Sequence, residues 1–207
     1  MIIDPSIENP QNIYKLMIGT IIPRPIAFVS SLSADGVPNL APFSFFTAIS
    51  ANPPVICFSP MVRSSDGAQK DTLRNVEATR EFVVNIVSED FAAQMNQCSA
   101  EYPPEIDEFV VSGLTPIPSD LVKPARVKES RVQMECRLLQ VVHINDKPLS
   151  GSLVIGEVLR FHVADELEVD NFRVDPARLN AIGRMGGPTY ARTTDLFDLQ
   201  RPTIQKP

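Results

Sequence analysis

Between residues 63 and 72 the chain reads Arg63-Ser64-Ser65-Asp66-Gly67 and then, two residues on, Lys70-Asp71-Thr72. Cations and hydroxyls converge there on a helix start, because Asp71 or Thr72 can cap a helix whose Leu73 and Val76 face inward. Free backbone N–H groups at such a start attract anions, and the helix dipole adds to the attraction. Arg63 and Lys70 beside it make a clamp of the kind that holds a monophosphate. The same residues also fit a solvated basic loop that ends in a capped helix.

A second segment reads Asn39-Leu40-Ala41-Pro42-Phe43-Ser44. Pro38 and Pro42 interrupt a strand, so some backbone N–H and C=O groups are expected to lack ladder partners and to need others. Asn39 and Ser44 add side-chain donors. A flavin ring presents matching partners along its pyrimidine edge. A bulged strand with local turns is the alternative reading. Ser30 and Ser31 place two hydroxyls at the end of an apolar strand, where they either face a ligand or cap the following turn.

Bulk properties narrow the class. At 207 residues the chain is long enough for an ordinary core. A net charge of −6 argues against a nucleic-acid partner, which requires a basic face. The three cysteines, Cys57, Cys98 and Cys136, show no paired spacing, so no metal site is expected. An odd cysteine count, with neither a basic nor an apolar leader in residues 1–9, leads to the expectation of a cytoplasmic protein. No apolar run approaches the ~20 residues of a membrane span, so no membrane partner is expected.

The elements that must position these groups are short and mostly extended. Residues 1–22 form an N-terminal adapter with a helix over 12–18. Residues 26–32 are a strand that turns at Asp35-Gly36, a hairpin signal. Residues 37–49 return as one bent strand. Further strands are expected over 55–58 and 82–87, with helices over 71–79 and 90–98 and a helix start at Asp175-Pro176. Residues 101–126 are expected to run over the surface, with a short strand at 109–111 and a solvated acidic group in Glu101, Glu105, Asp107 and Glu108. Val132, Met134, Cys136 and Leu138 alternate with Arg131, Gln133, Glu135 and Arg137, a pattern that predicts a strand with one wet face. Residues 153–163 are its hairpin partner, and 183–207 form a C-terminal arm. The whole of 1–207 is expected to be a single domain.

Taken in order, Arg24-Pro25-Ile26-Ala27-Phe28-Val29-Ser30-Ser31, Asn39-Leu40-Ala41-Pro42-Phe43-Ser44-Phe45-Phe46, Lys70-Asp71-Thr72-Leu73-Arg74-Asn75-Val76 and Glu81-Phe82-Val83-Val84-Asn85 resemble the flavin-reductase-like, FMN-binding split-barrel proteins. Val154-Ile155-Gly156-Glu157-Val158 and Gly183-Arg184-Met185-Gly186-Gly187 extend the resemblance over nearly the whole chain. It implies a mainly β fold: an antiparallel six-stranded Greek-key split barrel with a few peripheral helices. It implies a homodimer with FMN, in preference to FAD, near the interface. The implied cofactor contacts are Ser30, Asn39, Leu40, Ala41, Pro42, Ser44, Arg63, Ser64, Ser65, Lys70, Asp71, Thr72, Arg184 and Gly186. The implied activity is an oxidoreductase that takes electrons from NAD(P)H and passes them to a small molecule or a redox protein. A flavoredoxin-like carrier or a flavin-dependent oxygenase is the alternative.

The short reductases of that family carry Gly-Asp-His before the strand ending Gly-Glu-Val, whereas this chain reads Leu149-Ser150-Gly151-Ser152. The departure puts the nicotinamide step in doubt and turns the resemblance toward the flavoredoxin and flavoprotein-oxygenase branch. His143 and His162 lie in strand patterns and are read as polar-face residues, and Cys98 is read as exposed. No catalytic side chain is assigned.

Overall fold

The computed structural model describes residues 1–167 and 171–204. Along the chain run α1 (Pro10–Thr20), β1 (Ala27–Leu32), β2 (Pro38–Phe43), β3 (Phe46–Ala51), β4 (Pro54–Phe58), α2 (Asp71–Thr79) and β5 (Glu81–Ile86). There follow α3 (Ala92–Gln97), α4 (Glu108–Ser112), β6 (Pro116–Ile117), β7 (Arg126–Val127), β8 (Val132–His143), β9 (Ser152–Val163), α5 (Pro176–Leu179), β10 (Ile182–Arg184) and β11 (Tyr190–Arg192). Residues 205–207, the end of the expected C-terminal arm, lie outside the described residues.

Seven strands form one antiparallel sheet in the order β2-β1-β5-β8-β9-β4-β3. That is one more than the six expected, because the run read as a single bent strand divides at Ser44-Phe45 into β2 and β3. Those two strands end the pairing order on opposite sides, yet only two residues join them. A link that short spans at most about 10 Å. The sheet must therefore curl until its two edges meet at the Ser44-Phe45 corner.

Two apolar clusters fill this frame. One lies inside the curled sheet, with Phe58, Phe82, Val84, Cys136 and Val154 at its centre. The other packs Phe28 and Leu40 from the opposite faces of β1 and β2 against Phe91, Met95, Cys98 and Phe109. The β1–β2 turn uses Gly36 at φ +84°, a left-handed conformation that favours glycine. Asn9 caps α1 by accepting from Gln11 N–H, with Pro10 at the first helical position. Among the described residues no helix is long and apolar enough to cross a membrane.

Four local expectations are corrected. Phe109-Val110-Val111, read as a strand, lies in α4, because Asp107 caps the helix from one side and Gly113 ends it in a left-handed conformation on the other. Cys98, read as exposed, is 2 % exposed between α3 and α4. The face of β8 read as wet is covered in its middle, with Glu135 at 0 % and Gln133 at 6 % exposure, while Arg137 stays exposed as expected. The loop at 118–127 folds over that face, and Glu135 accepts the N–H groups of Asp120, Leu121 and Val122 at 2.9, 2.6 and 3.2 Å. Finally, Glu108, read as solvated, is 6 % exposed.

Candidate functional site

Pro38 and Pro42 fit the free edge of the sheet. Leu40 N–H points away from β1, since it donates to Glu108 Oε2 at 2.9 Å. Residues 38 and 42 share its parity, so both prolines lack an N–H where no strand would accept one. Ala41, opposite Val29, turns its own N–H into the β1 ladder. The unpaired amides expected over residues 39–44 are therefore absent at Leu40, Ala41 and Pro42. A carboxylate, the ladder and a proline ring account for them in turn.

Glu108 is the residue that sequence reading missed here. Its Oε1 accepts from Asn39 Nδ2 at 2.9 Å. Asn39 Oδ1 in turn accepts from Thr72 Oγ1 at 2.7 Å and Ser31 Oγ at 3.3 Å, and Ser31 Oγ accepts from Asn75 Nδ2 at 3.2 Å. This buried network bolts β1, β2, α2 and α4 together. Burial pushes the Glu108 carboxyl above its usual range, partly offset by the bonds from Leu40 and Asn39. Asn39 and Thr72 are thus structural anchors whose atoms border a small cleft of about 70 Å³, shared with Asp71 and Lys70.

A groove runs beside the Ser44-Phe45 corner. A cleft of about 280 Å³ is lined by Pro42, Phe43, Ser44 and Phe45 on one wall and by Arg63, Ser64 and Lys70 on another. A second of about 230 Å³ continues past Pro42 and Ser44 to Arg184 and Tyr190. Tyr14 of α1 borders both. Arg184 lies 4.4 Å from the centroid of the Tyr190 ring, a cation–π pair that fixes the far end. A mixed wall of Pro42, Phe43, Ser44 and Phe45 with cations at each end is an arrangement in which a planar, anionic ligand would rest.

The cationic end is built by α2 and the loop before it. Lys70 is the N-cap of α2, with extended backbone and no side-chain capping bond. The cap expected from Asp71 or Thr72 is thus displaced by one residue: Asp71 pairs with Arg74 and Thr72 is committed to Asn39. The first N–H groups of α2 have no intrahelical acceptor. Lys70 Nζ lies 3.2 Å from Glu101 Oε1, and Ser65 Oγ donates to Glu101 Oε2 at 2.6 Å. Arg63 Nε is buried without a hydrogen bond; Asp66 Oδ1 is 3.5 Å away but off line.

Arg24 was not singled out from the sequence, yet it ties the groove together. Only 4 % exposed, it donates through Nη1 to the carbonyls of Ile18 and Ile21 at 2.6 and 2.8 Å. Its Nη2 donates to Met185 O at 2.9 Å and its Nε to Ser44 Oγ at 3.2 Å. The signal was an arginine beginning an apolar strand, a place that demands partners. Since Ser44 accepts from Arg24, its own O–H proton is free to point into the groove.

Of the proposed contacts, Ala41, Pro42, Ser44, Arg63, Ser64, Lys70, Asp71, Thr72, Asn39 and Arg184 border these clefts. Ser30 does not: it is buried and donates to Ala125 O at 2.5 Å on the far side of β1. Leu40 is fully buried in the second core cluster. Ser65 reaches the site only through Glu101. Gly186 packs on the end of α1, where an added Cβ would lie 3.5 Å from Gly19 Cα. The histidines point elsewhere, His143 to Glu77 at 2.9 Å and His162 to Glu135 at 2.5 Å.

Comparison with known proteins agrees with this architecture. Residues 18–176 match the model of the flavin reductase like domain. Nitrilotriacetate monooxygenase component B of Bacillus cereus is 40 % identical with a TM-score of 0.90, covering 96 % of this chain and 98 % of its own. The 2-nitrobenzoate 2-nitroreductase NbaA of Pseudomonas fluorescens is 30 % identical with a TM-score of 0.83, covering 100 % and 98 %. A split-barrel protein of Shewanella frigidimarina, 20 % identical with a TM-score of 0.82 over 98 % and 100 %, shares the fold. This chain belongs to the flavin reductase-like family.

Proposed function

We propose that this protein binds FMN in the groove at the Ser44-Phe45 corner and acts as an oxidoreductase supplied with electrons by NAD(P)H. The observation that carries the reading is the shared cleft of Pro42, Phe43 and Ser44 with Arg63 and Lys70. The residues fit the group: Arg63 Nε is a buried donor without a hydrogen bond, as a phosphate oxygen requires. The kinship with a nitroreductase and a monooxygenase component supports a redox role.

When bound, FMN supplies the electron-transfer chemistry, and the protein supplies binding, orientation and electrostatics. Arg63, Lys70 and the first N–H groups of α2 hold the phosphate. The floor at Pro42, Phe43 and Phe45 supports the ring and keeps water from one face. Ser44, oriented by Arg24, offers its O–H to a ring heteroatom. The N–H groups at Leu40 and Ala41 are taken and Pro42 has none, so polar contact to the ring from this wall narrows to the Ser44 end.

A homodimer belongs to the same reading. Exposed apolar side chains on α1 and β3, among them Met17 at 42 % and Ile49 at 51 %, support a partner over this face. Light scattering on the purified protein measures the mass directly.

The activity is tested by mixing the FMN-loaded protein with NADH or NADPH under anaerobic conditions and following the flavin absorbance. Bleaching by either nucleotide supports the reductase. Bound FMN that neither nucleotide reduces removes the nicotinamide step and leaves an electron carrier. Leu149-Ser150-Gly151-Ser152, and histidines engaged outside the groove, favour that second reading.

A further inference from the structure

Glu101 enters the groove from outside the segments that build it. It follows α3, 31 residues beyond Lys70, and borders both the large cleft and the small one. Each carboxylate oxygen has a separate donor: Oε1 faces Lys70 Nζ at 3.2 Å, and Oε2 accepts from Ser65 Oγ at 2.6 Å. The Ser65 hydroxyl, with Lys70 and then Arg63, holds this carboxyl below its usual range. A two-oxygen anion, held in place by the Ser65 hydroxyl, thus occupies a lysine that an incoming phosphate would also seek.

The occupation has a cost for any anionic ligand. A phosphate that takes Lys70 must either displace Glu101 or sit beside it, and like charges at such distances repel. Glu101 is also free to leave: its side chain is 40 % exposed and no backbone N–H anchors it. Glu108, by contrast, is buried and bonded to a backbone N–H, so it cannot serve as a movable counter-ion.

We infer that Glu101 is an internal competitor for the ligand's phosphate, an affinity-setting residue that keeps an FMN-type ligand exchangeable. The inference rests on the FMN reading above, and it predicts that the chain binds phosphorylated flavin less tightly than its cations would allow. Removing the carboxylate charge releases Lys70 to the ligand.

The test compares the wild-type protein with Glu101→Gln and Glu101→Ala, each titrated with FMN and with riboflavin by fluorescence quenching at low salt and neutral pH. Both variants are expected to bind FMN about tenfold more tightly, with riboflavin affinity within about twofold. Unchanged or weaker FMN binding by both variants overturns the inference, the latter meaning that Glu101 positions Lys70 for the ligand. A parallel measurement uses inorganic phosphate against chloride at matched ionic strength, with the thermal midpoint as readout. If neither flavin binds any of the three proteins, the FMN reading fails by itself. The competitor role then stands if phosphate raises the midpoint of the variants more than that of the wild type, and falls if it does not.

Discussion

Arg24 Nε donates to Ser44 Oγ across 3.2 Å, while the same guanidinium holds the carbonyls of Ile18, Ile21 and Met185. One buried side chain therefore joins the end of α1, the C-terminal segment and the groove corner. All its partners are neutral, and burial lowers its pKa. Planar, forked geometry is what lets it serve four acceptors.

Lysine carries the same charge without the fork. Arg24→Lys should leave carbonyls unsatisfied and lower stability by about 2–3 kcal/mol. It should also weaken flavin binding, because Ser44 loses its orienting donor. Urea unfolding and flavin titration measure the two effects separately. An unchanged unfolding midpoint would contradict the role assigned to Arg24.

Gly156 lies on β9 between Ile56 and Leu138. An added Cβ would fall 2.4 Å from Phe82 Cζ and 2.9 Å from its Cε1. Phe82 is fully buried against Phe58 at a centroid distance of 5.5 Å, so it has little room to yield. Gly156→Ala should cost about 1–3 kcal/mol through overpacking, seen as an earlier thermal midpoint. At Gly36, a substitution meets no neighbour within 4 Å and should cost only the strain of its positive φ.

Acid stability should report Glu135. Burial alone would raise its carboxyl, but the N–H of Asp120, His162 and the N–H of Leu121 outweigh that and hold it below the ordinary 4.5. A lowered folded pKa means that its contribution is complete above about 4.5 and is lost as pH falls through the folded value. Unfolding free energy should therefore decline below about pH 4.5. Glu135→Gln should flatten that decline while lowering stability at neutral pH, since one amide oxygen cannot satisfy the donors held by a carboxylate. An acid limb identical to the wild type would remove Glu135 as its source.

Much of the fold was legible because strands and turns carry local signals. Asp35-Gly36, the alternation of 132–138 and Asp175-Pro176 each specify their own geometry. The errors came where a distant segment decided the outcome. Glu135 belongs to a clean alternation, but only the return of 118–127 makes its face an interior. Phe109-Val110-Val111 has β-forming residues, yet the cap at Asp107 and the stop at Gly113 win over propensity. In the candidate groove, the cations and the Pro42-Phe43-Ser44 wall that share one cleft were legible. Arg24, Glu101 and Glu108 were not, because each is tied to the groove by a partner at least 20 residues away in sequence: Ser44 for Arg24, Lys70 and Ser65 for Glu101, Asn39 for Glu108.

The proposed phosphate clamp at Lys70 predicts a selective loss. Lys70→Ala removes a point charge from one end of the groove and should weaken FMN about tenfold, with riboflavin nearly unaffected. Equal losses for both ligands would mean that Lys70 supports the fold of the groove and not the phosphate.

The most direct measurement is a titration of the folded, purified protein with FMN, followed by quenching of flavin fluorescence. Saturable binding of one FMN per chain, weaker for riboflavin, is the expected result. A folded protein that leaves FMN fluorescence unquenched at millimolar concentrations would contradict the assignment of this groove as a flavin site.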